Sequence, residues 1–244
     1  MNNKFYVVGT PIGNMEDITY RAVRILGGVD LILCEDTRVT KNLLNKYNIS
    51  TPTFSYPSDN LKSGMNTKAE SVGLPKARPL YAPKVEQILK LIEEGKTLAL
   101  VSDAGTPTIS DPGSVLVGKI KETFPEMEII AIPGPSAVIS ALSISGLDVA
   151  EFTFLGFLPH KKGRETLFRE IAGAKRVNVF YESPHRILKT LQSLEKFTPT
   201  KKIIIARELT KVFEQVISGS ATEILAYFTA NPDKVRGEFV VIVS

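Results

Sequence analysis

The sequence is poor in the residues that build disulfide frameworks and metal centres. It holds one cysteine, Cys34, and two histidines, His160 and His185, among 244 residues. A single cysteine excludes a disulfide framework within the chain and a cysteine-rich zinc site. Two histidines are too few for a histidine-rich metal site, so we expect no bound metal.

Long hydrophobic runs are also missing. No apolar run approaches the roughly 18–20 residues of a membrane span, and the apolar stretch Phe5–Val8 is too short for a signal peptide. Hydrophobic residues make up 43% and charged residues 23% of the chain. This balance is ordinary for a soluble globular protein and excludes a disordered or coiled-coil chain. We therefore expect a cytoplasmic protein that has no contact with a membrane.

The positive charge is unevenly distributed along the chain. The net charge is +4, but residues 1–156 hold 15 basic and 17 acidic side chains, and residues 190–244 hold 7 and 6. The window 157–189 holds 8 basic and 3 acidic side chains. Such a local excess can attract a polyanion such as a nucleic acid, and it can equally be a solvated basic face.

The first half of the chain alternates short apolar runs with helical patterns. Wholly apolar strands that alternate with helices indicate a mostly parallel α/β sheet with both faces covered. The predicted strands are Phe5–Val8, Leu31–Cys34, Leu98–Val101 and Ile129–Ile132, and the predicted helices are Ile18–Leu26, Lys41–Tyr47, Val85–Ile92 and Val115–Phe124.

Strands follow one another more closely in the second half. Several of them can pair antiparallel, so we expect a mixed α/β sheet there. The Pro133-Gly134-Pro135 turn stops the last strand of the first half, and we place a boundary there between domains 1–134 and 135–244. The predicted strands of the second half are Phe152–Phe157, Val177–Tyr181, Ile203–Ala206, Val212–Ile217 and Phe239–Val243.

Small residues and prolines follow each predicted strand of the first half. Ligands of open α/β sheets bind beyond the carboxyl ends of the strands, so these loops predict a ligand site. The sequence lacks the phosphate loop of P-loop NTPases, a G-x-G-x-x-G after the first strand, and the G-x-S-x-G of a nucleophile elbow. These absences argue against nucleotide hydrolysis, ordinary dinucleotide binding and hydrolase chemistry.

These loops carry motifs that resemble the tetrapyrrole-methylase superfamily. The closest likeness is to its branch that methylates a ribose 2′-hydroxyl in 16S ribosomal RNA, in which SDAGTP-x-ISDPG and YESPHR are specific motifs. The matching stretches span nearly the whole chain in the family's order. They are VVGTPIGNMEDIT at 7–19, CEDTR at 34–38, LVSDAGTPTISDPG at 100–113, IPGPSAVISALSISGL at 132–147, FTFLGFLPHKKGR at 152–164, FYESPHR at 180–186, ARELTKVFE at 206–214 and RGEFVVIV at 236–243.

The resemblance implies two α/β domains with S-adenosylmethionine in the cleft between them, and a homodimer. A sulfonium methyl donor needs a closely fitted apolar cradle with backbone acceptors, which rigid Gly/Pro loops supply. The family's cofactor contacts carry over to Pro11, Gly105, Thr106, Pro107, Ile109, Ser136, Ala137, Tyr181, Glu182, Gly237 and Phe239.

Methyl transfer to a ribose hydroxyl requires in-line positioning and a group that takes the hydroxyl proton. Asp36 is our first candidate base, because it follows a strand that ends at the expected cleft, and Glu35 and Glu208 are the alternatives. Arg38 is the candidate clamp for a phosphate or carboxylate. Asp36 and Arg38 can instead pair with each other or cap the next helix.

The implied substrate is a cytidine in the decoding region of 16S rRNA, within the assembled small ribosomal subunit. Shape, phosphate contacts and the 2′-hydroxyl are the features by which such RNA is recognised. The candidate contacts to its backbone are Arg164, His185, Arg186 and Arg207.

Two other functions remain open. A methyltransferase for a small tetrapyrrole or corrin would have a Gly-Gly-Asp-Pro turn where this chain has Ala104-Gly105-Thr106-Pro107. A non-catalytic module for subunit assembly would keep the cofactor pocket and lose the RNA chemistry. The atypical Pro57–Pro83 segment, which has four prolines and no sustained period, motivates this last alternative.

Overall fold

The computed structural model describes residues 4–56, 82–111 and 113–244. It divides the chain into two compact units, Met1–Ser136 and Ala137–Ser244. The boundary that we expected between residues 134 and 135 lies two residues before this division. Most of the atypical Pro57–Pro83 segment lies outside the described residues, so the hypothesis attached to it stays a prediction.

The described part of the first unit forms a parallel sheet of five strands. They are β1 (Lys4–Val8), β2 (Leu31–Cys34), β3 (Thr53–Ser55), β4 (Leu98–Leu100) and β5 (Glu128–Ile132). Their order across the sheet is β3-β2-β4-β1-β5. In the central pairs, Phe5 of β1 lies opposite Leu98 on one side and Ile129 on the other. All carboxyl ends therefore lie at one edge, as the apolar strand pattern predicted.

Helices cover both faces of this sheet. They are α1 (Tyr20–Leu26), α2 (Thr37–Lys46), α3 (Ala82–Glu93) and α4 (Gly113–Thr123). Helices α1 and α2 pack with Val8, Ile32 and Ala99 on one face, whereas α3 and α4 pack with Phe5 and Leu98 on the other. The two faces are thus filled by alternate residues of the strands, as the period of a strand requires.

The adjacent strands β1 and β4 lie at the switch point of the sheet. After β1 the chain runs through α1 on one face to β2, and after β4 it runs through α4 on the other face to β5. The loops that follow β1 and β4 therefore part toward opposite faces. Such a point is where open α/β sheets bind ligands.

The second unit holds a mixed sheet. Its strands are β6 (Phe152–Phe157), β7 (Val177–Glu182), β8 (Ile203–Arg207), β9 (Gln215–Gly219) and β10 (Phe239–Val243), in the order β6-β7-β10-β8-β9. Strands β6 and β7 pair parallel, and the other pairs are antiparallel. The helices are α5 (Ala137–Ser143), α6 (Arg164–Gly173), α7 (Ile187–Phe197) and α8 (Ala221–Ala230). The predicted fold class, a mostly parallel and a mixed α/β sheet, is confirmed.

Several local predictions differ from the structure. No helix was predicted over Ala137–Ser143, where α5 lies. Strand β3 was not predicted, because its three residues are only half-buried and show no apolar run. Helix α2 begins at Thr37, before the predicted Lys41, because the Asp36 side chain caps its first turn. The run predicted as a strand from Val212 is a loop up to Glu214, and its Val212 side chain is 94% exposed.

A close backbone crossing joins the ends of β1 and β5. The Gly9 amide donates to the Ile132 carbonyl at 3.0 Å, and a Cβ on Gly9 would lie 2.8 Å from Gly134 Cα.

We expect Gly9→Ala to destabilise the protein by roughly 1–3 kcal/mol, because the backbone would have to move. Gly173→Ala is the control, since a Cβ there meets nothing within 4 Å and alanine favours the helix by at most about 1 kcal/mol. Urea unfolding measures the free energy of unfolding of both variants. Equal values would show that the backbone at Gly9 has room for a Cβ.

Candidate functional site

The loops after β1 and β4 are joined by a pair of backbone hydrogen bonds. The Thr10 amide donates to the Gly105 carbonyl at 2.9 Å, and the Gly105 amide donates to the Thr10 carbonyl at 3.1 Å. The buried Thr10 hydroxyl also donates to the Ser102 carbonyl at 3.1 Å. The two loops at the switch point are therefore held together beyond the ends of their strands.

The loop after β4 holds an unusual backbone conformation. Gly105, Thr108 and Ser110 all have left-handed φ angles, of 81°, 76° and 55°. Such residues other than glycine cost about 1–3 kcal/mol each and are found where the surroundings fix them, often at functional sites. Between Thr108 and Ser110, the Ile109 side chain is 54% exposed. The loop thus presents an apolar side chain from a fixed backbone.

The predicted cofactor contacts of the first unit lie at this bridge or in the turns next to it. A Cβ on Gly105 would lie 3.4 Å from Ile12 Cγ2 and 3.7 Å from the Pro135 carbonyl. The turn that contains Pro11 and the turn after β5 therefore both adjoin the Gly105 loop. Pro107 is buried within that loop and Thr106 is exposed. Ser136 ends this unit, and Ala137 begins α5.

Asp36 caps α2 and pairs with Arg38. Its Oδ1 accepts from the Arg38 amide at 2.8 Å, and its Oδ2 accepts from Arg38 Nη2 at 2.6 Å. These hydrogen bonds lower the pKa of Asp36 to about 2. The Arg38 side chain is 88% exposed, so its guanidinium can still meet a ligand. Both alternatives weighed from the sequence, pairing and capping, are present.

The Asp36 backbone is tied to the loop after β4. Its amide donates to Asp103 Oδ1 at 3.1 Å. This contact brings the ends of β2 and β4 together, and Asp103 is not among the site residues that the sequence predicted. Glu35 precedes this group, and its carbonyl accepts from the Ser55 hydroxyl at 3.4 Å.

In the second unit, Tyr181 lies in an aromatic group. Its ring centroid is 5.1 Å from that of Phe154 and 5.4 Å from that of Phe157. Burial raises the pKa of Tyr181, so the phenol stays neutral and keeps its proton as a donor. Phe157 is 57% exposed and extends this aromatic surface to the outside of the unit.

Glu182 is the centre of a buried charged cluster. Its side chain is fully buried, and its Oε1 lies 3.2 Å from Arg186 Nε while its Oε2 lies 3.9 Å from Arg164 Nη2. Thr190 bridges the cluster, since its hydroxyl donates to Glu182 Oε2 and accepts from Arg164 Nη2, both at 2.6 Å. The Ser183 amide donates to Glu182 Oε1 at 2.8 Å. Glu182 therefore has an internal role, and its predicted contact with a cofactor stays a prediction.

The four predicted RNA contacts differ in exposure. Arg164 and Arg186 are mostly buried with Glu182, and Arg186 also donates to the Leu158 carbonyl at 2.6 Å. Arg207 is 5% exposed, and its Nε and Nη1 have no hydrogen-bond partner among the described residues. His185 alone of the four is exposed. The sequence did not reveal that three of these cations are turned inward.

Glu208, the other candidate base, lies in a second strained loop. Its φ is 52°, and its Oε1 accepts from Lys211 Nζ at 2.9 Å and from the Glu238 amide at 3.0 Å. Desolvation opposes ionisation of Glu208, but these hydrogen bonds outweigh it and lower the pKa. A Cβ on Gly237 would collide with the Glu208 side chain. Gly237 also has a left-handed φ of 86°, so both the backbone and this close approach favour glycine there.

Phe239, the last predicted cofactor contact, faces the core. Its ring centroid lies 5.8 Å from that of Phe228, and the residue is 1% exposed. Any contact of Phe239 with a cofactor would therefore involve its backbone. The sequence analysis also missed Thr190. A single threonine within the apolar pattern of a helix gives no sign that it bridges two charged side chains.

Neither a metal site nor a membrane span is found in the described ranges. Within residues 4–56, 82–111 and 113–244, no group of three His, Cys, Asp or Glu side chains could hold a metal ion. No helix in those ranges is long and apolar enough to cross a membrane.

Comparisons with known proteins identify close relatives. The family model described as Tetrapyrrole (Corrin/Porphyrin) Methylases matches residues 4–225. A protein of Thermotoga maritima named ribosomal RNA small subunit methyltransferase I is 42% identical over 242 residues, which is 99% of this chain and 98% of that protein. Proteins of the same name from Vibrio cholerae and Bacillus subtilis are 40% and 37% identical, and each alignment covers 98% of this chain and 76% or 74% of theirs.

Solved structures share the fold at low sequence identity. The methyltransferase CobJ aligns with a TM-score of 0.66 and 21% identity, over 99% of this chain and 94% of that one. A uroporphyrin-III C-methyl transferase from Thermus thermophilus, complexed with S-adenyl homocysteine, aligns with a TM-score of 0.63 and 14% identity. That alignment covers 99% of this chain and 97% of the other.

The buried Glu182 cluster makes a prediction about stability. We expect Glu182→Gln to destabilise the protein by about 3–5 kcal/mol, because two largely buried guanidinium groups lose their counter-charge. The control is Glu151→Gln, which breaks the exposed pair with Arg176 and should cost about 0–1 kcal/mol. Thermal unfolding of both variants tests this. If Glu182→Gln has the same Tm as the control, Glu182 does not stabilise the buried arginines.

Proposed function

The chain belongs to the tetrapyrrole (corrin/porphyrin) methylase family, and from this premise we propose which hydroxyl it methylates. The proposed acceptor is the ribose 2′-hydroxyl of a cytidine in the decoding region of 16S rRNA, on the assembled small subunit. The methyl donor is S-adenosylmethionine. The observation that carries the proposal is the 37–42% identity, over almost the whole chain, to methyltransferases named for small-subunit ribosomal RNA.

The loops of the first unit suit a methyl donor. The left-handed Gly105 has no side chain to block approach to the loop after β4, and Ile109 offers an exposed apolar side chain for a methionine chain. In that loop Pro107 is buried and fixes the backbone that would hold the donor. When bound, S-adenosylmethionine supplies an electrophilic methyl group on a positively charged sulfur. In the second unit, the half-buried Tyr181 beside Phe154 and Phe157 is the proposed aromatic contact.

Asp36 remains the proposed base, and its low pKa defines how it acts. A carboxylate with a pKa of about 2 is a weak base, so it can orient a hydroxyl but cannot remove its proton beforehand. Methylation would make the ribose hydroxyl strongly acidic, and Asp36 would then take its proton. Arg38 would contact a neighbouring RNA phosphate through its exposed guanidinium.

The partners and the location follow the same resemblance. We propose that the protein acts as a homodimer in the cytoplasm, where small subunits assemble. His185 is the most accessible of the proposed RNA contacts, because Arg164, Arg186 and Arg207 are mostly buried.

Transfer of labelled methyl groups tests the proposed reaction. We expect label from S-adenosylmethionine in the RNA of small subunits that lack the modification, with one nucleotide made resistant to alkaline cleavage. A porphyrinoid and extracted 16S rRNA are the comparison substrates. Label in the porphyrinoid alone would favour the tetrapyrrole alternative, and cofactor binding without label in any substrate would favour the assembly module.

A pair of variants at the two ends of β2 tests the role of Asp36. We expect Asp36→Ala to lower kcat by roughly 10²-fold, the low end of the range for loss of a general base, because a weak base contributes less, while cofactor binding measured by calorimetry is retained. Asp30→Ala is the matched control, because Asp30 precedes the same strand and pairs with Lys96 away from the loops of the site. An equal loss of kcat in both variants would exclude Asp36 as the base.

A further inference from the structure

A basic groove lies between α6 and α7 in the second unit. It has a volume of about 470 Å³ and is open to the surface. The charged side chains along it include four cations and one carboxylate, with a histidine at one end. They are Lys161, Arg164, Lys189, Lys196, Glu165 and His160. All of them except Lys196 come from the 157–189 window, which carries the chain's surplus of positive charge.

Two of the four cations already have acidic neighbours. Arg164 lies 3.9 Å from Glu182 and bonds to Thr190, so the buried cluster compensates its charge. Lys196 Nζ lies 3.9 Å from Glu165 Oε1. Both groups therefore have less charge to offer a ligand.

Lys161 and Lys189 make no such contact within the part of the chain that the structure describes. Both are exposed, and neither makes a salt bridge with any residue that the structure describes. Two uncompensated ammonium groups along one groove attract an anion that has more than one charge. A ribose–phosphate backbone presents such charges at regular spacing.

The aromatic side chains of the groove are not arranged to stack on bases. Phe168 and Phe197 stack on each other with centroids 6.2 Å apart, and Arg164 lies 5.1 Å from the Phe168 ring. Phe168 is 1% exposed, so its face is closed to a nucleotide. The groove therefore suits contacts to phosphates, which position RNA without reading its sequence.

We propose that Lys161 and Lys189 bind backbone phosphates of the ribosomal RNA in this groove. This inference rests on the proposed function, and it moves the RNA contact from the inward-turned arginines to exposed lysines. The groove positions the substrate and takes no part in the methyl transfer itself.

The test is the salt dependence of binding to extracted 16S rRNA. We expect Lys161→Gln/Lys189→Gln to bind at least roughly tenfold more weakly, with a slope of log K against log[KCl] shallower by about 2. Lys161→Arg/Lys189→Arg keeps both charges and should have the salt slope of the unmodified protein. Lys175→Gln/Lys202→Gln is the matched control, since both lysines are exposed, lie in the same unit and are not among the residues that line the groove.

The kinetic readout separates this inference from the proposed function. On small subunits, the groove variant should raise KM and leave kcat and cofactor affinity unchanged. If the unmodified protein methylates subunits but the groove variant has the slope and KM of the control, the groove does not bind RNA. If the unmodified protein labels no subunit RNA, the proposed function fails, whatever the salt slopes show.

Discussion

The backbone pairing of Thr10 with Gly105 is the contact on which the candidate site of the first unit depends. A parallel sheet brings the carboxyl ends of its strands to one edge, but the loops that follow are free to diverge. The two hydrogen bonds between Thr10 and Gly105 prevent this at the switch point. The exposed Ile109, the left-handed Thr108 and the contact from Asp103 to Asp36 all lie in the loop or strand end that this pairing fixes.

In the second unit, the buried carboxylate of Glu182 determines which positively charged side chains are held inside the fold. It holds Arg164 and Arg186 close to β7, so these cations stabilise the unit and are withdrawn from its surface. The local excess of positive charge seen in the sequence is thereby divided into an internal part and an external part. The exposed cations of this window, Lys161 and Lys189 among them, can meet a polyanion without breaking a buried ion pair.

The sequence predicted the fold well and the site unevenly. Apolar strand runs predicted most strands of both sheets, because burial dictates that pattern and the family motifs agree with it. The half-buried β3 has no such run and was missed. Side-chain partners were not predictable in the same way. Nothing in the sequence distinguishes the exposed Lys189 from the nearly buried Arg186, because the difference depends on which cations reach Glu182 across the fold. The low pKa of Asp36 was not predictable either, because it depends on how the Arg38 side chain is placed in the fold.

Fold alone does not select the substrate in this architecture. The uroporphyrin-III C-methyl transferase from Thermus thermophilus shares the fold at 14% identity, so the two-sheet scaffold is compatible with different acceptors. The loops at the sheet edge suit a methyl donor, which these enzymes have in common. The acceptor must then be chosen by features outside those loops. In the proposed function, the groove that contains Lys161 and Lys189 would make this choice, because it would attract a long polyanion through many phosphates, whereas a small macrocycle offers only a few carboxylates.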